Sequence, residues 1–349
     1  MQDFSQYDLI IDARSEREYE EDHIPGAINL PVVTNDQYAE VGIQHKHDTH
    51  QAYLIGVVYS HRNIADAIDR VISSYPRRTK MLVYCFRGGK RSRLWFDALD
   101  TIGYSVDRLQ GGWKAYRRWV NAELESKPKE FQYHVLSGPT GCGKTRLLNA
   151  LKEQGAQVLD LEDLAKHRGS LIGAIPGVDQ PSQKYFDSLV LQQLRTFDSR
   201  KPTWLEAESK KIGERQIPQA LFEQMHAGKP FRVEAPMAER VELWREDYRH
   251  FEANPKQLIE QLAHLKPLVG NDEFETWQRL AENQRMSELF ERLMANHYDP
   301  AYRRSTLRHY PNIDSAQLIK LTSLSQDALH EVALELIVNQ NQSHLTRVG

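Results

Sequence analysis

The segment Gly138-Pro139-Thr140-Gly141-Cys142-Gly143-Lys144-Thr145 constrains this chain more than any other. Glycine, four residues and then Gly-Lys-Thr make a loop whose amides wrap phosphate oxygens, whose lysine neutralises charge and whose hydroxyl can hold Mg²⁺. Such a loop needs a buried strand before it and a helix N-terminus after it, where the amides converge. Both are present: Tyr133-His134-Val135-Leu136 reads as a strand and Lys144 to Lys152 as a helix. Gln157-Val158-Leu159, Thr203-Trp204-Leu205 and Phe231-Arg232-Val233 are further strand candidates. Strands alternating with helices predict a parallel α/β sheet. Gly138, Thr140, Gly141, Cys142, Gly143, Lys144 and Thr145 are the expected diphosphate-binding residues, with Cys142 lining the loop and not acting as a nucleophile. An NTPase also wants an acid at a strand end. Asp160, Glu206 and Glu208 are the candidates, yet none follows a run of four apolar residues ending in Asp. A loop of this kind can hold a diphosphate substrate without hydrolysing ATP, so nucleotide hydrolysis stays open, as does the choice between ATP and GTP.

A second loop carries different chemistry. Leu9-Ile10-Ile11 and Met81-Leu82-Val83-Tyr84 read as buried strands, with Ile64, Ala67, Ile68, Val71 and Ile72 at helical spacing between them. Cys85-Phe86-Arg87-Gly88-Gly89-Lys90-Arg91-Ser92 follows the second strand directly, at the end of the sheet where such folds place ligands. A helix is expected from Arg93 to Leu99. Nearby cations and a helix N-terminus favour the thiolate form of a cysteine. Cys85 is therefore the expected nucleophile, at the floor of an anion cradle made by Arg87, Gly88, Gly89, Lys90, Arg91 and Ser92. Spacing alone is ambiguous, because a cysteine, five residues and an arginine also fit the phosphate loop of cysteine-dependent tyrosine phosphatases.

Three further motifs bear on that choice. Asp12-Ala13-Arg14 follows the first strand, His23-Ile24-Pro25-Gly26-Ala27-Ile28-Asn29-Leu30-Pro31 comes next, and Leu109-Gln110-Gly111-Gly112-Trp113 follows the cysteine helix. In this order around a cysteine loop they resemble the rhodanese family. The resemblance implies that Cys85 handles a sulfur or selenium atom. Asp12 and Arg14 support the loop as a salt-bridged strand end, and the His23 motif is a structural turn. The loop is one residue longer than the usual sulfurtransferase loop, which suits a tetrahedral group such as selenophosphate.

At 349 residues the chain suits two or three domains. The expected division is a rhodanese-like α/β domain over 1–122 and a charged linker over 123–130. A phosphate-loop α/β domain with a parallel sheet follows over 131–236, and a mainly helical region over 237–349. In the last of these Leu258, Ile259, Leu262 and Leu265, then Phe274, Trp277, Leu280 and Ala281, then Leu329, Val332, Ala333 and Leu336 recur at helical spacing. The net charge of −3 leaves nucleic-acid binding to local basic patches. No apolar run reaches the roughly 18 residues a membrane helix needs. No basic-then-apolar leader opens the chain, so no membrane contact and a cytoplasmic address are expected. Two cysteines without a matching histidine pair do not make a structural zinc site. No metal ligand set stands out, although the Thr145 hydroxyl suits Mg²⁺.

The order of the two loops resembles the bacterial tRNA 2-selenouridine synthases. So do Leu161-Glu162, His167-Arg168-Gly169-Ser170, Gln180-Pro181-Ser182-Gln183, the run from Trp204 to Ser209, Ile212-Gly213, Glu234-Ala235-Pro236 and the run from Tyr298 to Tyr302. That resemblance implies a two-step exchange at the wobble uridine of tRNA. Geranyl diphosphate first alkylates 2-thiouridine, and selenium from selenophosphate then replaces the geranyl thiol. Both reagents are co-substrates; no tightly bound cofactor is expected, and an enzyme supplying selenophosphate is a conceivable partner. Lys144 would grip the geranyl diphosphate, while Cys85 would serve selenation with Arg87, Lys90 and Arg91 on the phosphate. Asp160, Glu162, His167, Arg168, Ser170, Gln183, Glu206, Glu208, Ser209 and Lys210 are the candidates for substrate contact or support. Lys211 and Arg215 beside Lys210, and Arg303, Arg304, Arg308 and His309 between Tyr302 and Tyr310, are the candidates for the anticodon region of tRNA. Residues 40–56, with Gln44-His45-Lys46-His47, depart from the family pattern. The rival assignments are a rhodanese-type sulfurtransferase with a nucleotide-regulated phosphate-loop domain, a phosphatase–kinase fusion, and a non-enzymatic tRNA-binding module.

Overall fold

The structure, a computed structural model, describes residues 3–309, 313 and 316–345, with the side chains of 305–309 and 340–345 excepted. The chain forms two compact units, Met1–Leu124 with Pro181–Gln192, and Glu125–Gln180 with Gln193–Gly349.

The first unit is built on four parallel strands, β1 (Leu9–Asp12), β2 (Ile28–Asn29), β3 (Lys80–Tyr84) and β4 (Ser105–Arg108), in the order β2-β1-β3-β4. β1 and β3 run side by side, Leu9 opposite Met81 and Asp12 opposite Tyr84. All of β1 and most of β3 are buried. That is why both read as continuous apolar runs: central parallel strands are covered on both faces. Helices Thr49–Arg70 and Lys90–Ile102 contribute Ile64, Trp95 and Leu99 to the core. The cysteine helix thus begins at Lys90, three residues before its expected start. Helix Gly112–Ser126 and the 3₁₀ turn Lys127–Glu130 occupy the segment expected as a linker, and Leu124 and Pro128 in it are buried. The charges there are the solvent face of an amphipathic helix, a pattern that a charge count mistakes for a loop.

Pro181–Gln192 also belongs to this unit. Most of the helix Gln183–Thr196 lies within it, and its Ser188 hydroxyl donates to the buried Asp22 carboxylate at 3.0 Å. Asp22 accepts again from Trp113 Nε1 at 2.7 Å, while Arg117 reaches Ser188 Oγ and Asp187.

The second unit holds β5 (Tyr133–Ser137), β6 (Gln157–Val158), β7 (Thr203–Glu206), the antiparallel pair β8 (Lys211–Ile212) and β9 (Arg215–Gln216), β10 (Lys229–Glu234) and β11 (Gln317–Lys320). Its main sheet is parallel throughout, ordered β11-β10-β5-β7-β6, with the phosphate-loop strand β5 at its centre. The expected boundary at 236 fails here. β11 lies inside the region expected to be mainly helical, yet it pairs with β10 and completes the sheet. Ile319, Leu321, Leu324 and Leu329 then share one core with Leu147, Leu148 and Leu151 of the helix Lys144–Glu153. Between β10 and β11, helices including Pro255–Leu262, Asn271–Glu282 and Met286–Leu293 form a second core around Trp244, Phe251, Trp277 and Phe290.

Candidate active sites

The phosphate loop leaves β5 and enters the helix at Lys144 through Gly141 and Gly143, whose φ angles of +76° and +84° favour glycine. A Cβ on Gly138 would sit 2.3 Å from the Val233 carbonyl oxygen, so the loop can lie against β10 only with glycine there. Lys144 Nζ donates to the Gly138 carbonyl at 3.1 Å and lies 3.9 Å from Glu206. Burial opposes its charge, but the summed pull of the groups around it, Glu206 and Glu208 among them, outweighs burial and holds the ammonium above its ordinary range. Cys142 is fully buried, and burial pushes its thiol up, as suits a packing residue.

Glu206, the last residue of β7, is the acidic partner of the loop: the Thr145 hydroxyl donates to its carboxylate at 2.5 Å. Glu162, Glu206 and Glu208 bring one oxygen each within 4.8 Å of one another. Burial, then the neighbouring carboxylates, pushes Glu162 well up; burial and Glu206 push Glu208 up to about 8. Hard oxygen donors beside a phosphate loop and the Thr145 hydroxyl fit Mg²⁺. Asp160 plays no such part, since its side chain caps the helix Leu161–Ala165 by accepting from Asp163 N.

These groups line a cavity of about 710 Å³ whose lining also includes the apolar and aromatic Leu243, Trp244, Tyr248 and Tyr298. Arg168 also lines it, its guanidinium carbon 5.4 Å from the Tyr248 ring centroid. Arg168 Nη1 is buried without a hydrogen-bond partner among the described residues, which leaves a donor for an anionic ligand. Ser170 and Ser209 line the cavity as well, Ser170 Oγ lying 3.1 Å from Tyr248 Oη. The other candidates fall elsewhere. His167 is buried, its backbone in a bridge to Ala174, and does not line the cavity. Gln183 belongs to the first unit, donating to Asp187 at 2.8 Å. Lys210 and Lys211 are exposed at the β8–β9 pair, where Arg215 is half-buried. Arg303 and Arg304 are exposed on the helix Asp299–His309, and the side chains of Arg308 and His309 lie outside the described residues, as does Tyr310.

Two residues of this site are absent from the sequence-based candidates. Arg240 is buried, donates to the Thr140 carbonyl from Nε at 2.9 Å and pairs with both oxygens of Asp299 at 2.9 and 2.6 Å. It clamps the phosphate loop from behind. Tyr302 accepts from the Gly138 amide and bonds Ser137 Oγ, at the root of the same loop. The Tyr298–Tyr302 run carried a signal for Asp299 and Tyr302; nothing marked Arg240 apart from its place six residues beyond Glu234.

In the first unit Cys85 follows β3 directly, buried, with its Sγ–H donating to Ser92 Oγ at 3.3 Å. The Leu109–Trp113 turn supports this loop: Trp113 N donates to the Cys85 carbonyl at 2.8 Å, and Lys114 N to that of Phe86. Gly88, at φ +70°, Gly89 and the first turn of the helix at Lys90 turn the backbone around the thiol. Arg87 and Lys90 are exposed. Arg91, expected on a phosphate, has its guanidinium on Glu18 at 2.5 and 3.2 Å. Asp12 and Arg14 form a buried bidentate pair at 3.0 and 2.6 Å, and Arg14 also donates to the Asp22 carbonyl at 2.5 Å. They brace the strand end.

Residues 131–316 match the model of the tRNA 2-selenouridine synthase AAA domain, and residues 1–118 match the rhodanese-like domain. A tRNA 2-selenouridine synthase from Hydrogenovibrio crunogenus is 30% identical over 327 residues, covering 84% of this chain and 88% of that protein. One from Chromohalobacter salexigens is 32% identical over 324 residues, 84% of this chain and 87% of that protein. One from Hahella chejuensis is 32% identical, covering 86% and 81%. With two loops in the order that family requires and relatives matching along most of its length, the chain belongs to the tRNA 2-selenouridine synthase family.

Proposed function

We propose that this chain converts tRNA wobble 2-thiouridine to 2-selenouridine in two steps, using geranyl diphosphate in the second unit and selenophosphate at the Cys85 loop. The observation that carries this reading is the mixed lining of one cavity: the phosphate loop with Lys144, and Arg168, share it with the rings of Trp244, Tyr248 and Tyr298. An amphipathic diphosphate uses both the charged and the aromatic parts of that lining. In the first step the sulfur of 2-thiouridine bonds to C1 of the geranyl group as the C1–O bond breaks. Diphosphate leaves into the loop and the uridine ring loses its N3 proton. Lys144 and the loop amides hold the charge that grows on the leaving oxygens. Aromatic faces favour the allylic cation character at C1. When bound at Glu162, Glu206, Glu208 and Thr145, Mg²⁺ supplies further charge neutralisation of the diphosphate. In the second step selenium of selenophosphate attacks C2 and the C2–S bond breaks. Geranyl thiol departs with a proton, and water takes the phosphoryl group as phosphate. Gly88, Gly89, Arg87 and Lys90 hold the phosphate portion, and the step depends on Cys85.

Mass spectrometry of tRNA nucleosides from a deletion strain tests both assignments. Cys85→Ala is expected to abolish selenouridine while geranylated thiouridine persists, and Lys144→Ala to abolish both. Normal selenouridine in the Cys85→Ala strain would remove that residue from the reaction.

A further inference from the structure

The helix Thr49–Arg70 carries one apolar stripe with two fates. In its second half Ile64, Ala67 and Ile68 pack into the core of the first unit. In its first half Tyr53 and Val57 continue the same stripe at helical spacing, flanked by Leu54 and Val58, and all four are exposed, by 54%, 52%, 48% and 46%. The preceding helix, Asn35–His47, adds Tyr38 and Ile43, which are 59% and 62% exposed. The small face of the helix, at Gly56, meets Val41 instead, so the exposed stripe is not what joins the two helices. Contiguous exposed apolar surface of this kind marks a binding face.

Its position says what it meets. Lys90 Nζ lies 4.7 Å from the Tyr53 ring centroid, and Lys90 opens the helix whose Ser92 accepts the Cys85 thiol bond. The face therefore borders the cysteine loop. Transfer of selenium from a small anion needs a cradle of amides and cations, and has no use for an aliphatic floor. A prenylated base has. We infer that Tyr53, Leu54, Val57 and Val58 hold the geranyl chain of the S-geranylated tRNA while selenium replaces sulfur at the Cys85 loop. This role rests on the geranylated intermediate proposed above. Lys90, part of the cysteine loop and seated on the Tyr53 ring, joins the anion cradle to this apolar floor, so the selenium donor and the apolar tail each meet their complement side by side.

The test compares two anticodon stem-loops, one with S-geranyl-2-thiouridine and one with 2-thiouridine, binding to the full-length protein. Leu54→Ser combined with Val57→Ser is expected to weaken the geranylated RNA by about tenfold and leave the thiouridine RNA within about twofold. In selenation assays the same protein should show a raised KM for geranylated RNA with kcat held. Tyr53→Phe, which keeps the ring, should bind both RNAs as the wild type does. Equal weakening of both RNAs would assign the face to RNA itself and overturn the inference. Unchanged affinity for geranylated RNA together with loss of a dimer in sedimentation would give it to a second copy of the chain, with the same consequence. Failure of the underlying two-step reading looks different: wild-type protein with selenophosphate would leave the geranylated stem-loop unconverted.

Discussion

Gly112 packs so closely on the cysteine loop that a Cβ there would lie 2.1 Å from the Cys85 carbonyl oxygen and 2.5 Å from Gly88 N, at a φ of +57°. Gly112→Ala is expected to push the loop aside, at a cost of about 1–3 kcal/mol of overpacking. Thermal melting should register the loss, and tRNA nucleosides should lose selenouridine while keeping the geranylated form. The carboxylate trio offers a titration. Glu162 and Glu208 keep protons in the folded chain that the unfolded chain, with ordinary carboxyls, releases. The folded state then binds more protons between the ordinary range and about pH 8, so stability falls as pH rises through that window. Melting temperature should drop from about pH 5 to about pH 8 without divalent cation, Mg²⁺ should restore it mainly at the upper end, and Glu208→Gln should flatten the profile. At this scale the phosphate loop and Cys85 were legible because each motif is contiguous. Glu206 was one of three candidate acids and Arg240 was invisible, because a clamp made by residues 100 apart leaves no local pattern.

Whether a strand could be read depended on how much of it is buried. β1, β3, β5 and β7 are covered on both faces and announce themselves as apolar runs. β4 is exposed except at the half-buried Val106, and β11 buries only Ile319; neither presents a run or an alternation. Yet β11 closes the sheet behind the phosphate loop. Ile319→Ala is expected to destabilise the second unit by about 2–5 kcal/mol, since the methyls it loses sit in the core shared with Leu147 and Leu151. Urea denaturation followed by tryptophan fluorescence checks this. A surface change at Leu318, which is 44% exposed, should be silent in the same assay.

For the whole molecule, a net charge of −3 means that tRNA must be drawn by local cations rather than by the overall field. Lys210 and Lys211 at the β8–β9 turn are exposed in the same unit as Arg303 and Arg304. Replacing both lysines by alanine should lower the slope of log affinity against log salt by about 1.5 if each neutralises one phosphate. Filter binding across a salt series measures it, and an unchanged slope would remove them from the interface. The parallel sheet of the second unit also has a consequence for synthesis. β5 and β10 leave the ribosome before β11: at about 5–20 residues per second the roughly 180 residues from Ser137 to Gln317 take about 10–40 s to appear, and the roughly 80 from Glu234 to Gln317 about 4–16 s. Until then β10 presents an open edge and the apolar face of the phosphate-loop helix has no cover, so the nascent chain passes through an interval in which chaperone binding and aggregation compete for the surface that β11 will claim.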